Sequence, residues 1–246
     1  MATQCCYIGK GIVYGRISGA PAAAVDFGNV SKLELAIQQE EKSVKDYRSG
    51  GGGTACSVIR ISEVGANITM NCLSPANMAR AMAGTTSVIA GATVAAASNP
   101  VVAYKGGFIP TAPGATSIVV THASASPVYV ANTDYVVTGS GITILTAGAI
   151  TDGQSIRVGY TATALDAIDI ITGAFGSYQM WLDGLNEMES GNPVLIEIYK
   201  FKFGPAAALA LLGDDPSELA VTGKLEADTS KTGVGVSQYM KVKIKQ

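Results

Sequence analysis

Two stretches in the first third of the chain alternate between apolar and polar positions. Leu33, Leu35 and Ile37 alternate with Lys32, Glu34 and Gln38, and Val64, Ala66, Ile68, Met70 and Cys72 alternate with polar or small residues. A period of two sends successive side chains to opposite faces of a pleated strand, so each stretch predicts a half-buried β-strand. Between them runs Glu40-Glu41-Lys42-Ser43-Val44-Lys45-Asp46-Tyr47-Arg48, followed by Ser49 and the glycines Gly50, Gly51, Gly52 and Gly53. Turning a chain takes only about two to five residues. A charged run feeding a glycine tract therefore predicts a long hairpin with a mobile tip, and its length serves something other than reversal.

The pattern then changes period. Ser74-Pro75-Ala76-Asn77-Met78-Ala79-Arg80-Ala81-Met82-Ala83-Gly84 has a serine fit to cap a helix, a proline at the first helical position, good helix formers and a closing glycine. It predicts one short helix, with Met78 and Met82 on the face turned to the core. From Tyr104 to Asp169 the texture is β-branched runs punctuated by Pro110, Pro113 and Pro127 and by turn residues. Strands are expected at Ser117 to Thr121, Val128 to Val130, Tyr135 to Thr138, Ile142 to Leu145 and Ser155 to Thr161, with turns at Gly139-Ser140-Gly141 and Thr151-Asp152-Gly153. This reads as a small β-module inserted into a larger fold. The expected organisation is residues 1–103 and 170–246 for the main domain and 104–169 for the insertion. Further strands are expected at Pro193 to Phe203, Glu218 to Asp228 and Met240 to Ile244. Ala206 to Leu212, bracketed by Gly204-Pro205 and Gly213-Asp214-Asp215-Pro216, is too short for a stable helix and is read as extended.

Composition adds a constraint that the pattern does not. Of 246 residues, 48% are hydrophobic and only 15% charged. A soluble domain ordinarily carries about a quarter charged residues, so part of this surface is expected to be buried against other subunits. A net charge of −2 does not describe a protein that wraps nucleic acid. The greasiest stretches, Val88 to Ala97 and Ala206 to Leu212, fall short of the roughly 18 to 20 residues of a spanning helix, so no membrane span is expected. The opening Met1-Ala2-Thr3-Gln4-Cys5-Cys6 lacks the basic start and apolar core of a secretory signal. Cys5, Cys6, Cys56 and Cys72 form no Cys-x-x-Cys pair and are read as reduced thiols.

Candidate chemistry is sparse. The single histidine, His122, ends an expected strand, and neither a nucleophile elbow nor a phosphate-binding loop is spelled out: Gly15-Arg16-Ile17-Ser18-Gly19 has the wrong spacing, and the glycines at 50–53 precede a strand rather than a helix. Asp166 with Asp169 and Asp214 with Asp215 read as turn and edge residues rather than acid and base pairs. Trp181 reads as a packing anchor. No enzyme activity, metal or cofactor is expected.

The order and spacing of these features carry a resemblance. Asn29-Val30-Ser31-Lys32-Leu33-Glu34-Leu35, the charged arm ending Lys45-Asp46-Tyr47, the glycine tip, and the strand leading into Leu73-Ser74-Pro75-Ala76-Asn77 resemble the N-terminal half of a tailed-bacteriophage major tail tube protein. Leu209-Ala210-Leu211-Leu212-Gly213-Asp214-Asp215, then Leu219 to Leu225 and Asp228, is similar to the ending of that family. Tyr129-Val130-Ala131-Asn132-Thr133-Asp134-Tyr135, closed by Ile156-Arg157-Val158-Gly159-Tyr160, resembles a β-module found within some of these proteins. Cys5 and Cys6 and the alanine-rich residues 85–103 have no counterpart in the resemblance.

The resemblance implies a β-sandwich or barrel flanked by a short helix, self-assembled into hexameric rings that stack into the phage tail tube, the conduit for genome delivery. It places the protein in the virion, assembled in the host bacterial cytoplasm. Its partners would be further copies of itself and tail proteins such as the tape measure, sheath or terminator, with DNA only passing through the lumen. It also implies that the hairpin, with Glu40, Glu41, Lys42, Lys45, Asp46, Tyr47, Arg48 and Gly50 to Gly53, reaches the neighbouring ring. The competing reading is a monomeric β-rich adhesion or carbohydrate-binding module, with residues 104–169 as its working part.

Overall fold

The structure, a computed structural model, describes residues 6–48 and 50–245. Cys5 and Ser49, which figure in the sequence readings, lie outside the described residues. The fold is mainly β with one short α-helix, and it divides into two compact units. The first comprises the chain up to Thr86 and from Ile168 onward, and the second is Ser87–Ala167.

The first unit begins with β1 (Gly9–Ile17), β2 (Val25–Asp26), β3 (Val30–Lys45), β4 (Thr54–Met70) and α1 (Pro75–Ala81). The chain then runs through β5 (Thr85–Ile89) into the second unit, built of β6 (Thr93–Val94), β7 (Pro100–Ala103), β8 (Phe108–Pro110), β9 (Thr116–His122), β10 (Val128–Tyr129), β11 (Tyr135–Thr138), β12 (Gly141–Ile144) and β13 (Gln154–Thr161). It leaves through β14 (Leu165–Asp169), which pairs with β5. The first unit is completed by β15 (Ser177–Asn186), β16 (Asn192–Ala206), β17 (Leu219–Leu225) and β18 (Met240–Ile244).

One antiparallel sheet in the order β2-β1-β15-β16-β17-β4-β3 makes up most of the first unit, and β18 pairs with the first half of β16. It is an open sheet and not a closed barrel. The alternation that predicts the strands also decides which face is buried. In β17, Leu219, Val221, Gly223 and Leu225 point inward and the residues between them are exposed. By register, Leu219 faces Met70, Val221 faces Ile68 and Gly223 faces Ala66, so the apolar positions of neighbouring strands fall on one surface. A bulge in β16 opposite Tyr178/Met180 resets its phase, so that Ile196 and Ile198 before it and Phe201 and Phe203 after it all pack in the same core. Phe27, Tyr178, Phe201 and Phe203 form an edge-on aromatic cluster there, with neighbouring centroids 4.8 to 6.4 Å apart.

Helix α1 packs on this core. Ser74 Oγ accepts from the Asn77 backbone N–H at 3.2 Å and Pro75 occupies the first turn, as the cap pattern predicts. At the other end Gly84 closes the helix as the sequence predicts, but the left-handed residue there is Ala83, with φ 48°. Gly84 instead donates its N–H to Ala79 O at 2.8 Å, and a Cβ on it would lie 2.6 Å from Asp169 O. The glycine is there for close approach of the backbone rather than for its φ angle. Asn77, fully buried, fastens the helix: its Nδ2 donates to Phe27 O at 2.8 Å and to Cys72 O at 2.9 Å, and its Oδ1 accepts from the Arg80 guanidinium.

The second unit has its own core, built on Ala103, Ile109, Val120, Tyr129, Tyr135, Ile142, Ile144, Ile150, Ile156 and Val158. The five expected strands form at their expected places, and β11 and β12 join through the two residues Gly139 and Ser140. The unit also takes in residues 87–103, which lie outside the expected span of 104–169, because β6 and β7 both pair with β13. Buried Asp134 ties this unit's loops, accepting from the N–H groups of Val130 and Ala149, both at 2.8 Å. These two bonds, that from Ala149 the larger, hold its carboxyl below the usual carboxylate range.

Two further expectations are corrected by the fold. The strand expected at Leu33 to Ile37 is longer: the charged run from Glu40 is strand too, since the β3–β4 ladder continues to Lys45 opposite Thr54. Backbone pairing alone satisfies the N–H and C=O groups there, so the ladder needs no buried face to continue. Ala206 is the last residue of β16, while 207–218 is irregular, neither helix nor strand.

Candidate functional site

The β3–β4 hairpin leaves the body of the sheet. Only Gly65 to Met70 of β4 pair with β17; beyond Val64 the two strands pair solely with each other. The eight residues of β3 after Ile37 extend this arm by about 25 Å at the rise of a strand. Its end closes through the Asp46 N–H on Gly53 O at 2.7 Å and the Arg48 N–H on Asp46 Oδ1 at 2.8 Å. Tyr47 stands 87% exposed at the tip.

The arm has two unlike faces. Register sets Leu35 opposite Ala66, Ile37 opposite Val64, Gln39 opposite Ile61 and Glu41 opposite Ile59. This face continues the plane of the buried core outward, so Leu35, Ile37, Ile59 and Ile61 make an apolar stripe that stays 43 to 65% exposed. The opposite face sets Glu40 against Arg60 and Lys42 against Val58, with Lys42 also 3.6 Å from Glu40. Exposed ion pairs of this kind contribute about 0 to 1 kcal/mol each and do not explain why the arm exists. The stripe amounts to roughly 400 Å² of apolar surface, as large as the biggest patch on an ordinary monomer. Covering it is worth up to about 10 kcal/mol at ~25 cal/mol per Å².

The structure therefore brings the expected residues together, but divides them. Glu40, Glu41, Lys42 and Lys45 lie on the ladder, and Asp46, Tyr47, Arg48 and Gly50 to Gly53 in the closing loop. Sequence reasoning missed Ile59 and Ile61, although their spacing of two residues is the same signal that marked Val64 and Ala66; the strand they pair with is polar there, Gln39 facing Ile61 and Glu41 facing Ile59.

A second feature lies at α1. Arg80 stacks over Phe27, its guanidinium carbon 4.8 Å from the ring centroid, and more distantly over Tyr178 at 5.9 Å. It lines an open cavity of about 420 Å³ with Ala76, Ala79, Ala83, Phe175 and Tyr178. Among the described residues no carboxylate comes within ion-pair distance of Arg80.

The remaining candidates have local roles. His122 Nδ1 is 2.7 Å from Ser124 Oγ in the turn after β9. Trp181 lies on β15 opposite Tyr14 of β1, half-buried under the Arg16 guanidinium at 5.3 Å. Cys6, Cys56 and Cys72 are free thiols. Among the described residues, no group of three or more His, Cys, Asp or Glu side chains is gathered for a metal, and no helix is long and apolar enough to cross a membrane.

Comparison with curated proteins finds no match. A family model does match, over residues 6–243, nearly the whole of both units. The chain belongs to the family described as Protein of unknown function UCP028589.

Proposed function

We propose that this protein is a structural subunit that self-assembles into hexameric rings stacked as a phage tail tube, the β3–β4 arm reaching from one ring to the next. The observation that carries the reading is the arm itself: a paired hairpin running beyond the rest of the sheet, with an exposed apolar stripe of Leu35, Ile37, Ile59 and Ile61 on one face that no described residue of its own chain covers. A monomer gains no stability from such an arm, while a neighbour that covers the stripe does.

The sheet supports the same reading. On its outer side β3 presents sixteen residues of unpaired edge, and at the other margin β2 covers only Tyr14 and Gly15 of β1. Open edges of this length invite pairing with further copies, and a contact between two different edges closes into a ring when the rotation from copy to copy permits. In this reading the protein acts in the virion after assembly in the host cytoplasm. It meets the tape measure, sheath or terminator proteins at the tube ends, and a mildly acidic subunit does not hold the DNA it must pass.

The test is electron microscopy of the purified protein beside the variant carrying Ile59→Lys and Ile61→Glu. Both positions are exposed, so the variant should melt as the wild type does, by circular dichroism. Wild-type tubes with single unstacked rings in the variant support the proposal. A wild type that stays monomeric at high concentration, or a variant that forms normal tubes, overturns it.

A further inference from the structure

A second exposed apolar feature sits far from the arm in sequence. The crossover between β16 and β17 is pinched at its neck, where the Ser217 hydroxyl donates to Ala210 O at 2.5 Å. The residues it closes off, Leu211, Leu212, Gly213, Asp214, Asp215 and Pro216, are all exposed, Leu211 at 79% and Leu212 at 96%. Two leucines held in water at the tip of a closed loop, followed by two carboxylates, form a small knob that is apolar at its front and acidic behind. Among the described residues neither Asp214 nor Asp215 has an ion-pair partner.

The cavity beside α1 is its chemical complement. Ala76, Ala79, Ala83, Phe175 and the Tyr178 ring supply apolar wall, and Arg80 supplies a cation without a carboxylate partner, oriented by Asn77 and by the Phe27 ring. A volume of about 420 Å³ accommodates two leucine side chains. The knob does not line this cavity in its own chain.

We infer that the Leu211–Pro216 loop of one copy docks into the α1 cavity of a second copy, Leu211 and Leu212 filling the apolar part and Asp214 or Asp215 pairing with Arg80. The occupant is a second copy because both halves of the complement are present in this chain: two uncovered leucines beside carboxylates with no ion-pair partner among the described residues, and an apolar cavity whose guanidinium has no carboxylate partner among them. Bringing a carboxylate to a guanidinium that already rests on aromatic faces makes a pair shielded from water, stronger than one on open surface. Knob and socket are different patches, so the contact is heterologous. Repeated from copy to copy, it leads to a ring or a helix rather than to a closed dimer. The inference rests on the self-assembly reading and names the surfaces that join neighbours within a ring, separate from the arm between rings.

The test uses the full-length protein and three variants, followed by sedimentation velocity and electron microscopy, with circular dichroism melting as the check on folding. The knob variants are Leu211→Ser with Leu212→Ser, and Asp214→Lys with Asp215→Lys; all four positions are exposed, so both variants should melt as the wild type does. Each is expected to raise the concentration needed for rings at least about tenfold. Adding Arg80→Glu to the Asp214→Lys, Asp215→Lys variant should recover rings by reversing both charges. Since Arg80 also braces Asn77, a second measurement leaves it intact: chains carrying Leu212→Cys are mixed with chains carrying Thr86→Cys and oxidised, and a disulfide between the two introduced thiols is sought by mass spectrometry. Knob variants that assemble at the wild-type concentration overturn the inference and leave the tail tube reading standing, provided the Ile59→Lys, Ile61→Glu variant still fails to stack. A wild type that remains monomeric overturns both.

Discussion

Replacing Asn77 with alanine removes the fastening between α1 and the sheet at a position only 1% exposed. The backbone N–H of residue 77 keeps its bond to Ser74 Oγ, so the helix cap survives. The bonds that vanish are those to Phe27 O and Cys72 O, together with the one from Arg80. Arg80 is half-buried and turns to water at little cost, but the two carbonyls lose their donor. An orphaned buried acceptor costs about 1 to 3 kcal/mol. Two of them, less about 0.6 kcal/mol for the better helix propensity of alanine, give a loss of roughly 3 kcal/mol. With an unfolding entropy of ~2.1 cal/mol/K per residue over a unit of roughly 165 residues, that lowers the midpoint by about 9 °C. Thermal melting followed by circular dichroism reads the shift. Asn77→Asp should lose more at neutral pH, because it sets a carboxylate oxygen against those carbonyls. A drop below about 3 °C for Asn77→Ala would show that water or a backbone shift satisfies Phe27 O and Cys72 O, and that Asn77 is not the fastening.

Ala83→Gly should raise stability by about 0.5 to 1 kcal/mol in urea unfolding, because residue 83 already holds φ 48° and glycine takes that angle without steric cost. Gly223→Ala should cost about 1 to 3 kcal/mol, since a Cβ there runs into the Phe201 ring and lies 2.5 Å from Lys202 O, both fixed in the core. Asp134 has its folded pKa depressed by the N–H groups of Ala149 and Val130, while unfolded it titrates near the ordinary value of about 3.9. Its stabilisation of the second unit is thus present above about pH 4 and lost as pH falls through the folded value. Urea midpoints from pH 7 to pH 2 should show this fall in the wild type and a flatter profile in Asp134→Asn.

Local pattern alone specified a good deal of this protein. Period-two alternation marked Leu33 to Ile37 and Val64 to Met70, because a pleated strand against one core leaves that signature whatever lies beside it, and β-branched runs between turn residues marked the strands of the second unit. Ser74-Pro75 marked the helix start for a similar reason, since a cap is made within a few residues. Strands β1 and β15 escaped because Gly9–Ile17 and Ser177–Asn186 mix glycine, aromatic and charged residues; their pairing, Val13 with Leu182 and Tyr14 with Trp181, exists only across more than 160 residues of chain. Tertiary structure also decided what sequence could not weigh. It placed the left-handed turn on Ala83, kept Gly84 for the close approach of the Asp169 backbone, and drew residues 87–103 into the second unit because β13 offers them an edge. It left Ile59, Ile61, Leu211 and Leu212 in water, residues whose type alone would have put them in the core. Hydrophobic pattern states which side chains seek cover; only the packed chain reveals which of them its own body leaves uncovered.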